Sequence, residues 1–195
     1  MPHETRPEVR GALHVVLRIR RGLPGLCTLR ALRRLEGAFR EGKEKSGFAL
    51  VHYSVQHDHL HLVVEARSKQ ELARGMQGLA IRLAKALNAL WHRARGPVFA
   101  ERYFALALTS LRQIWRTVRY VLCNGRKHGS WTKAGVPDPY SSGPWFLPWR
   151  RPDICRPTRS SPVVEARSYF WLPVIDIDDV PGPRYRELAD FTPSL

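Results

Sequence analysis

His59 and His61 flank a single apolar residue in the run His57-Asp58-His59-Leu60-His61-Leu62-Val63-Val64-Glu65. Side chains alternate faces along a strand, so the two imidazoles share a face with Cα atoms about 6.6 Å apart. Neutral imidazole nitrogens are metal ligands, and at this spacing both can reach one divalent ion. Leu60, Leu62 and Val64 take the other face, as in a half-buried strand. A histidine pair on a strand is also an ordinary surface feature, so residues elsewhere must decide between the two readings. His57 reads as a turn residue. Glu65 shares the histidine face but lies about 13 Å beyond His61, too far for the same ion.

The elements that must hold the pair in place are legible on either side of it. Leu13, Val15, Leu17 and Ile19 alternate with His14, Val16, Arg18 and Arg20, which predicts a strand over Ala12 to Arg20 that Gly22, Pro24 and Gly25 end. Thr28 opens a helix carrying Leu29, Leu32, Leu35 and Phe39 that stops near Gly42. A second strand over Gly47 to Gln56 is expected to put Ala49, Val51, Tyr53 and Val55 on one face and His52, Ser54 and Gln56 on the other. With His57-Asp58 as a two-residue turn, Gln56 faces His59, Ser54 faces His61 and Val55 faces Leu60. His52 then serves packing or a nucleic-acid contact.

Further along, Ser68-x-x-Glu71 is a capping box leading into a stripe of Leu72, Met76, Leu79, Leu83, Leu87 and Leu90. A fourth strand is expected over Val98 to Leu108. Ser110-x-x-Gln113 caps a third helix, whose core stripe is expected to be Leu111, Trp115, Val118 and Leu122. Gln113, Thr117, Tyr120 and Asn124 form a second stripe, placing Tyr120 off the core-facing side. The order strand, helix, strand, strand, helix, strand, helix predicts an α+β fold with a ferredoxin-like antiparallel sheet, βαββαβα. The first two helices cover the apolar face, leaving the histidine face to the third helix or a substrate. Residues 1–130 form this domain, and residues 131–195 form a Pro/Trp-rich extension with an acidic end. Trp131, Trp145, Trp149, Trp171 and Tyr140 in that extension either stack on unpaired bases or fill grooves on the sheet.

Charge points to the partner. The formal net charge is +15, and residues 176–195 hold five carboxylates against two arginines, so the first 175 residues carry +18. Such an excess favours a polyanion, because each neutralised phosphate releases condensed counterions. No apolar run approaches the roughly 20 residues of a membrane span, and no signal peptide opens the chain, so nucleic acid in the cytoplasm is expected rather than a membrane. Cys27, Cys123 and Cys155 form no Cys-x-x-Cys pair, which argues for a reducing compartment and against a zinc ribbon.

His59-Leu60-His61 together with a helix presenting Tyr120 resembles the single-tyrosine HUH transposases, named for histidine, hydrophobic residue, histidine. Within that superfamily the likeness is greatest to the transposases associated with repetitive extragenic palindromes. Glu101-Arg102-Tyr103, Leu111-Arg112 and Arg119-Tyr120-Val121-Leu122-Cys123-Asn124 resemble that branch's run from fourth strand to catalytic helix. The resemblance covers about residues 11–130. It departs after Asn124, where Gly125-Arg126-Lys127-His128 replaces a proline-containing turn.

The resemblance implies that Tyr120 attacks a phosphodiester of single-stranded or hairpin DNA, leaving a 5′-phosphotyrosine and a free 3′-hydroxyl. It also implies a divalent cofactor, Mg²⁺ or Mn²⁺, held by His59 and His61 with Asn124 as a third ligand. Asn124 lies one helical turn from Tyr120; Asn-Gly at a helix end is equally a C-cap. Arg112, Arg116, Arg119, Arg126, Lys127 and His128 cluster near the proposed nucleophile and are the candidate DNA contacts. The protein is a monomer or a homodimer that trades catalytic helices. Two other readings stay open: a hairpin-binding module that has lost catalysis, and a phosphoesterase using activated water. Fold alone does not choose among them.

Overall fold

The computed structural model of the 195-residue chain describes residues 11–45, 47–127, 131, 133, 136–146 and 157–167. The acidic end, His128, Trp149, Trp171 and Cys155 lie outside them. Strand β1 (Gly11–Arg18) is followed by α1 (Leu29–Gly42), which starts where the Thr28 side chain accepts a hydrogen bond from the Ala31 N–H. Next come a two-residue β2 (Glu44–Lys45), β3 (Phe48–Val55) and β4 (His59–Ala66). Helix α2 (Lys69–Leu90) is capped by Ser68, which accepts from the Glu71 N–H at 3.2 Å. Strand β5 (Phe104–Ala107), α3 (Leu111–Leu122) and a single turn, α4 (Asn124–Lys127), follow. The strands form one antiparallel sheet in the order β2-β3-β4-β1-β5. Without the two-residue β2, the order β3-β4-β1-β5 is that of the ferredoxin-like sheet expected from the sequence.

Alternation along the strands divides the molecule into two layers. Leu13, Val15 and Leu17 of β1 and Leu60, Leu62 and Val64 of β4 pack with Leu32, Leu35 and Phe39 of α1 and Met76, Leu79 and Leu83 of α2. Ala12 and Val63 face the other way, toward Ile114, Val118 and Val121 of α3. The hairpin register is the one the two-residue turn requires: Ser54 pairs with His61, Val55 with Leu60, and the Gln56 N–H donates to the His59 carbonyl at 2.8 Å.

Three expectations need correction. A β-bulge in β3 lies between Leu50 and His52, so Phe48 and Leu50, rather than Ala49 and Val51, join Tyr53 and Val55 on the α1/α2 side. The extra residue, Val51, packs with α3. The fourth long strand is shorter than its apolar content suggests: its ladder covers only Phe104–Ala107, with an isolated bridge from Phe99 to Ile19. The intervening Glu101-Arg102 is exposed and has no apolar alternation to hold it on the sheet. On α3, Leu111 is exposed and the sheet-facing side is Ile114, Thr117, Val118, Tyr120, Val121 and Leu122. Tyr120 therefore lies toward the sheet, not away from it.

The described parts of the extension are fastened to this core. Ser141 bridges Ser54, the Val55 N–H donates to the Tyr140 carbonyl, and the Ser142 N–H donates to the Tyr53 carbonyl. This covers the part of the β3 edge that β2 leaves open. Further on, the Val164 N–H reaches the Leu50 carbonyl, and Arg159 pairs with the buried Glu36 carboxylate at 3.0 Å. Trp145 packs on the α1/α2 side beneath the Arg159 guanidinium, while the Trp131 indole N–H donates to the Val136 carbonyl. Both are half-buried against the protein.

Candidate active site

The bulge-free, paired β4 holds His59 and His61 on the face covered by α3. Their Nε2 atoms face each other at 3.0 Å. Each ring is also held at its other nitrogen. His59 Nδ1 lies 2.7 Å from the Asp58 carboxylate, and His61 Nδ1 lies 3.0 Å from Nε2 of His14 on β1. The His14 and His61 rings stack with centroids 5.1 Å apart. Burial lowers the pKa of His14 to about 4, with the charge of His59 adding to the effect, so His14 is neutral at physiological pH. At Asp58, burial works to raise the pKa, but the hydrogen bond from His59 and the charges of His59 and Arg18 outweigh it and the net shift is downward.

Tyr120 comes to this cluster from α3 of the same chain. Its hydroxyl lies 3.5 Å from His61 Nε2, with the rings edge to face at 5.2 Å. Tyr120 is only 4% exposed, and burial raises its pKa. The Asn124 side chain offsets part of that rise, and its amide nitrogen and oxygen are buried with no hydrogen bond of good geometry. Asn124 is not a left-handed C-cap. It opens α4, and neither it nor Gly125 has positive φ. Asp138 fixes this turn by accepting from the Gly125 N–H at 3.2 Å and the Tyr140 N–H at 2.8 Å.

These residues fit a divalent ion. Two nitrogen ligands at right angles, each about 2.1 Å from one ion, stand about 3.0 Å apart, the separation of the two Nε2 atoms. The orphaned buried amide of Asn124 offers an oxygen, and the mixed nitrogen and oxygen set suits Mn²⁺ or Mg²⁺ with water completing the shell. Among the described residues no group of three histidine, cysteine or carboxylate side chains is placed to bind a metal.

The candidate DNA contacts do not form one uniform patch. Arg112 is exposed and Arg116 half-buried on α3. Arg119 is 8% exposed and lies over the Trp115 ring at 5.3 Å. Arg126 donates to the carbonyls of Lys133 and Val136. Lys127 closes α4, and His128 falls outside the described residues. His52 is buried between Ser142 and the Phe146 ring, a packing role, and Glu65 accepts from the Arg167 N–H rather than joining the histidines. His14, Asp58 and Asp138 were not singled out from the sequence. Strand alternation already places His14 on the polar face of β1, and pairing that strand beside β4 would have brought it to His61.

The sequence matches the profile of the IS200-like transposases over residues 10–122. No curated protein matches the chain. Among solved structures, a REP-associated tyrosine transposase bound to a REP hairpin superposes with a TM-score of 0.55 at 16% identity, covering 73% of this chain and 82% of that one. A candidate transposase from Deinococcus radiodurans R1 gives a TM-score of 0.42 at 15% identity, covering 58% and 89%. The first likeness shows a shared α+β fold with the antiparallel sheet and its helices. With more than half of its residues matched by that family's profile, the chain belongs to the IS200-like transposases.

Proposed function

We propose that the protein is a DNA strand transferase that cuts and rejoins single-stranded or hairpin DNA in the cytoplasm through Tyr120. The observation that carries this reading is the meeting of Tyr120 with His61 across 59 residues of sequence. In the forward step the phenol gives up its proton and its oxygen attacks phosphorus, the bond to the 3′-oxygen breaks, and the departing 3′-oxygen takes up a proton to become the free 3′-hydroxyl. The product is a 5′-phosphotyrosine. Attack by a 3′-hydroxyl on that ester reverses the step and restores the phenol, so the bond energy is conserved and no ATP is needed.

His59, His61 and Asn124 would hold the Mg²⁺ or Mn²⁺ ion. When bound, the ion supplies positive charge that polarises the scissile phosphate and opposes the rise in the Tyr120 pKa. Asp58 orients His59, and α3 keeps the phenol out of bulk water until DNA enters. Arg112 and Arg116 on the outer part of α3, with Arg126, Lys127 and His128, would guide the phosphate backbone, whereas Arg119 is buried over Trp115.

One observation favours a hairpin-binding module without cleavage: the same burial that places Tyr120 leaves its hydroxyl little exposed and its pKa high. Incubation with Mn²⁺ and hairpin oligonucleotides separates the readings. Strand transfer gives a DNA adduct that survives denaturing electrophoresis and disappears in Tyr120→Phe and His61→Ala. Tight hairpin binding without any adduct supports the module, and cleavage that persists in Tyr120→Phe makes water the nucleophile.

A further inference from the structure

Both histidines of the pair have their Nδ1 atoms occupied and their Nε2 atoms turned to one point. For His59 the partner is a carboxylate, the usual device for fixing a ligand ring and its tautomer. For His61 it is a second imidazole, that of His14, which is 4% exposed, stacks on His61 and meets Tyr120 edge-on at 6.3 Å. A buried histidine on a sheet face ordinarily serves packing, and an apolar residue would do that better. What an apolar residue cannot do is accept a hydrogen bond.

We propose that His14 is a positioning residue for His61: its Nε2 accepts the His61 Nδ1–H, which fixes the ring and leaves His61 Nε2 with its lone pair toward the metal position. The contact is made inside the buried interface between β1, β4 and α3, where His14 is 4% and His61 7% exposed and the two rings stack. Asp58 and His14 thereby act as a matched pair, one for each ligand.

The inference rests on the metal reading of His59 and His61, so the test has one arm that needs metal and one that does not. In the first, Mn²⁺ affinity is followed by loss of the free-ion electron paramagnetic resonance signal. His14→Phe, which keeps a ring but has no acceptor, is expected to bind about 10- to 100-fold more weakly than wild type, and His14→Gln, which restores an acceptor oxygen, to recover most of that loss. Wild-type affinity in His14→Phe, or no recovery in His14→Gln, overturns the proposal. Equal Mn²⁺ binding by wild type and His61→Ala removes the metal reading itself. The second arm then decides for His14: in metal-free protein labelled with ¹⁵N-histidine, His61 shows one tautomer in wild type and a mixture in His14→Phe. An unchanged His61 spectrum overturns the proposal whether or not the pair binds metal, and His14→Gln supplies the same comparison if His14→Phe does not fold.

Discussion

The Tyr120 hydroxyl lies 3.5 Å from Nε2 of His61 because α3 lays its polar stripe, not only its apolar one, against the sheet. Thr117, Tyr120 and Asn124 are all at most 4% exposed and follow one another at one-turn intervals. Burying polar groups this way is unfavourable unless something binds them, and the Thr117 hydroxyl and the Asn124 amide have no hydrogen-bond partner. The strain falls where the chemistry is proposed.

Thr117 offers a direct measure of that cost. Thr117→Val is nearly isosteric and removes the unsatisfied hydroxyl, so it should raise unfolding stability by about 1 kcal/mol. Urea denaturation of the two proteins checks this. A loss of stability would show that the hydroxyl is satisfied in solution.

The fold was legible because its strands and caps obey local rules. Thr28, Ser68 and Ser110 each cap the helix their spacing predicted, and the 57–58 turn set the register that puts both histidines on one face. What could not be read was the side of α3 that meets the sheet. Counting apolar residues selected Leu111 and Trp115, whereas the helix is rotated so that Thr117 and Tyr120 are covered and Leu111 is left in solvent. The β-bulge at Val51 was equally hidden, since it appears only when β3 is laid against β4. Alternation puts His14 on the polar face of β1, but its meeting with His61, and that of Asp58 with His59, depend on strand pairing and turn geometry, which periodicity does not encode.

Two buried histidines make the fold sensitive to acid. Burial lowers His52 from an ordinary 6.5 to about 3 and, together with the His59 charge, His14 to about 4. Below pH 6.5 the unfolded chain binds protons that the folded chain does not, so stability falls from there as pH drops toward 4 and then 3. At pH 5 each site should have cost about 2 kcal/mol. His52→Gln can still meet Ser142 but cannot titrate in this range, so it should lose about 2 kcal/mol less than wild type between pH 7 and pH 5. Equal losses in urea titrations at the two pH values would rule out His52 as a source.

The arginines of α3 should separate into two kinds. Arg112 is exposed, so Arg112→Ala should leave stability unchanged and reduce the slope of log affinity against log salt for single-stranded DNA by about 0.7. Arg119 is buried over Trp115, and Arg119→Ala should cost about 1–2 kcal/mol of stability. Anisotropy titrations at several salt concentrations, with parallel denaturation curves, distinguish them. A slope change for Arg119→Ala without loss of stability would reverse the assignment.

Gly125 is required by its neighbours rather than by its backbone angles. A Cβ there would sit well inside contact distance of the Asp138 carboxylate and 3.1 Å from Cβ of Trp131. Gly125→Ala must therefore push Asp138 away from the two backbone N–H groups it accepts from, at a cost of about 1–3 kcal/mol. Because Asn124 precedes Gly125 on the same turn, the shift should also displace its amide from the histidine pair. The expected result is a lower melting temperature together with weaker Mn²⁺ binding. Asp138→Ala makes the complementary test: it opens the space the methyl needs, so in that background Gly125→Ala should cost much less than it does alone. Additive losses in the double mutant would show that the contact between the two residues is not what holds the turn.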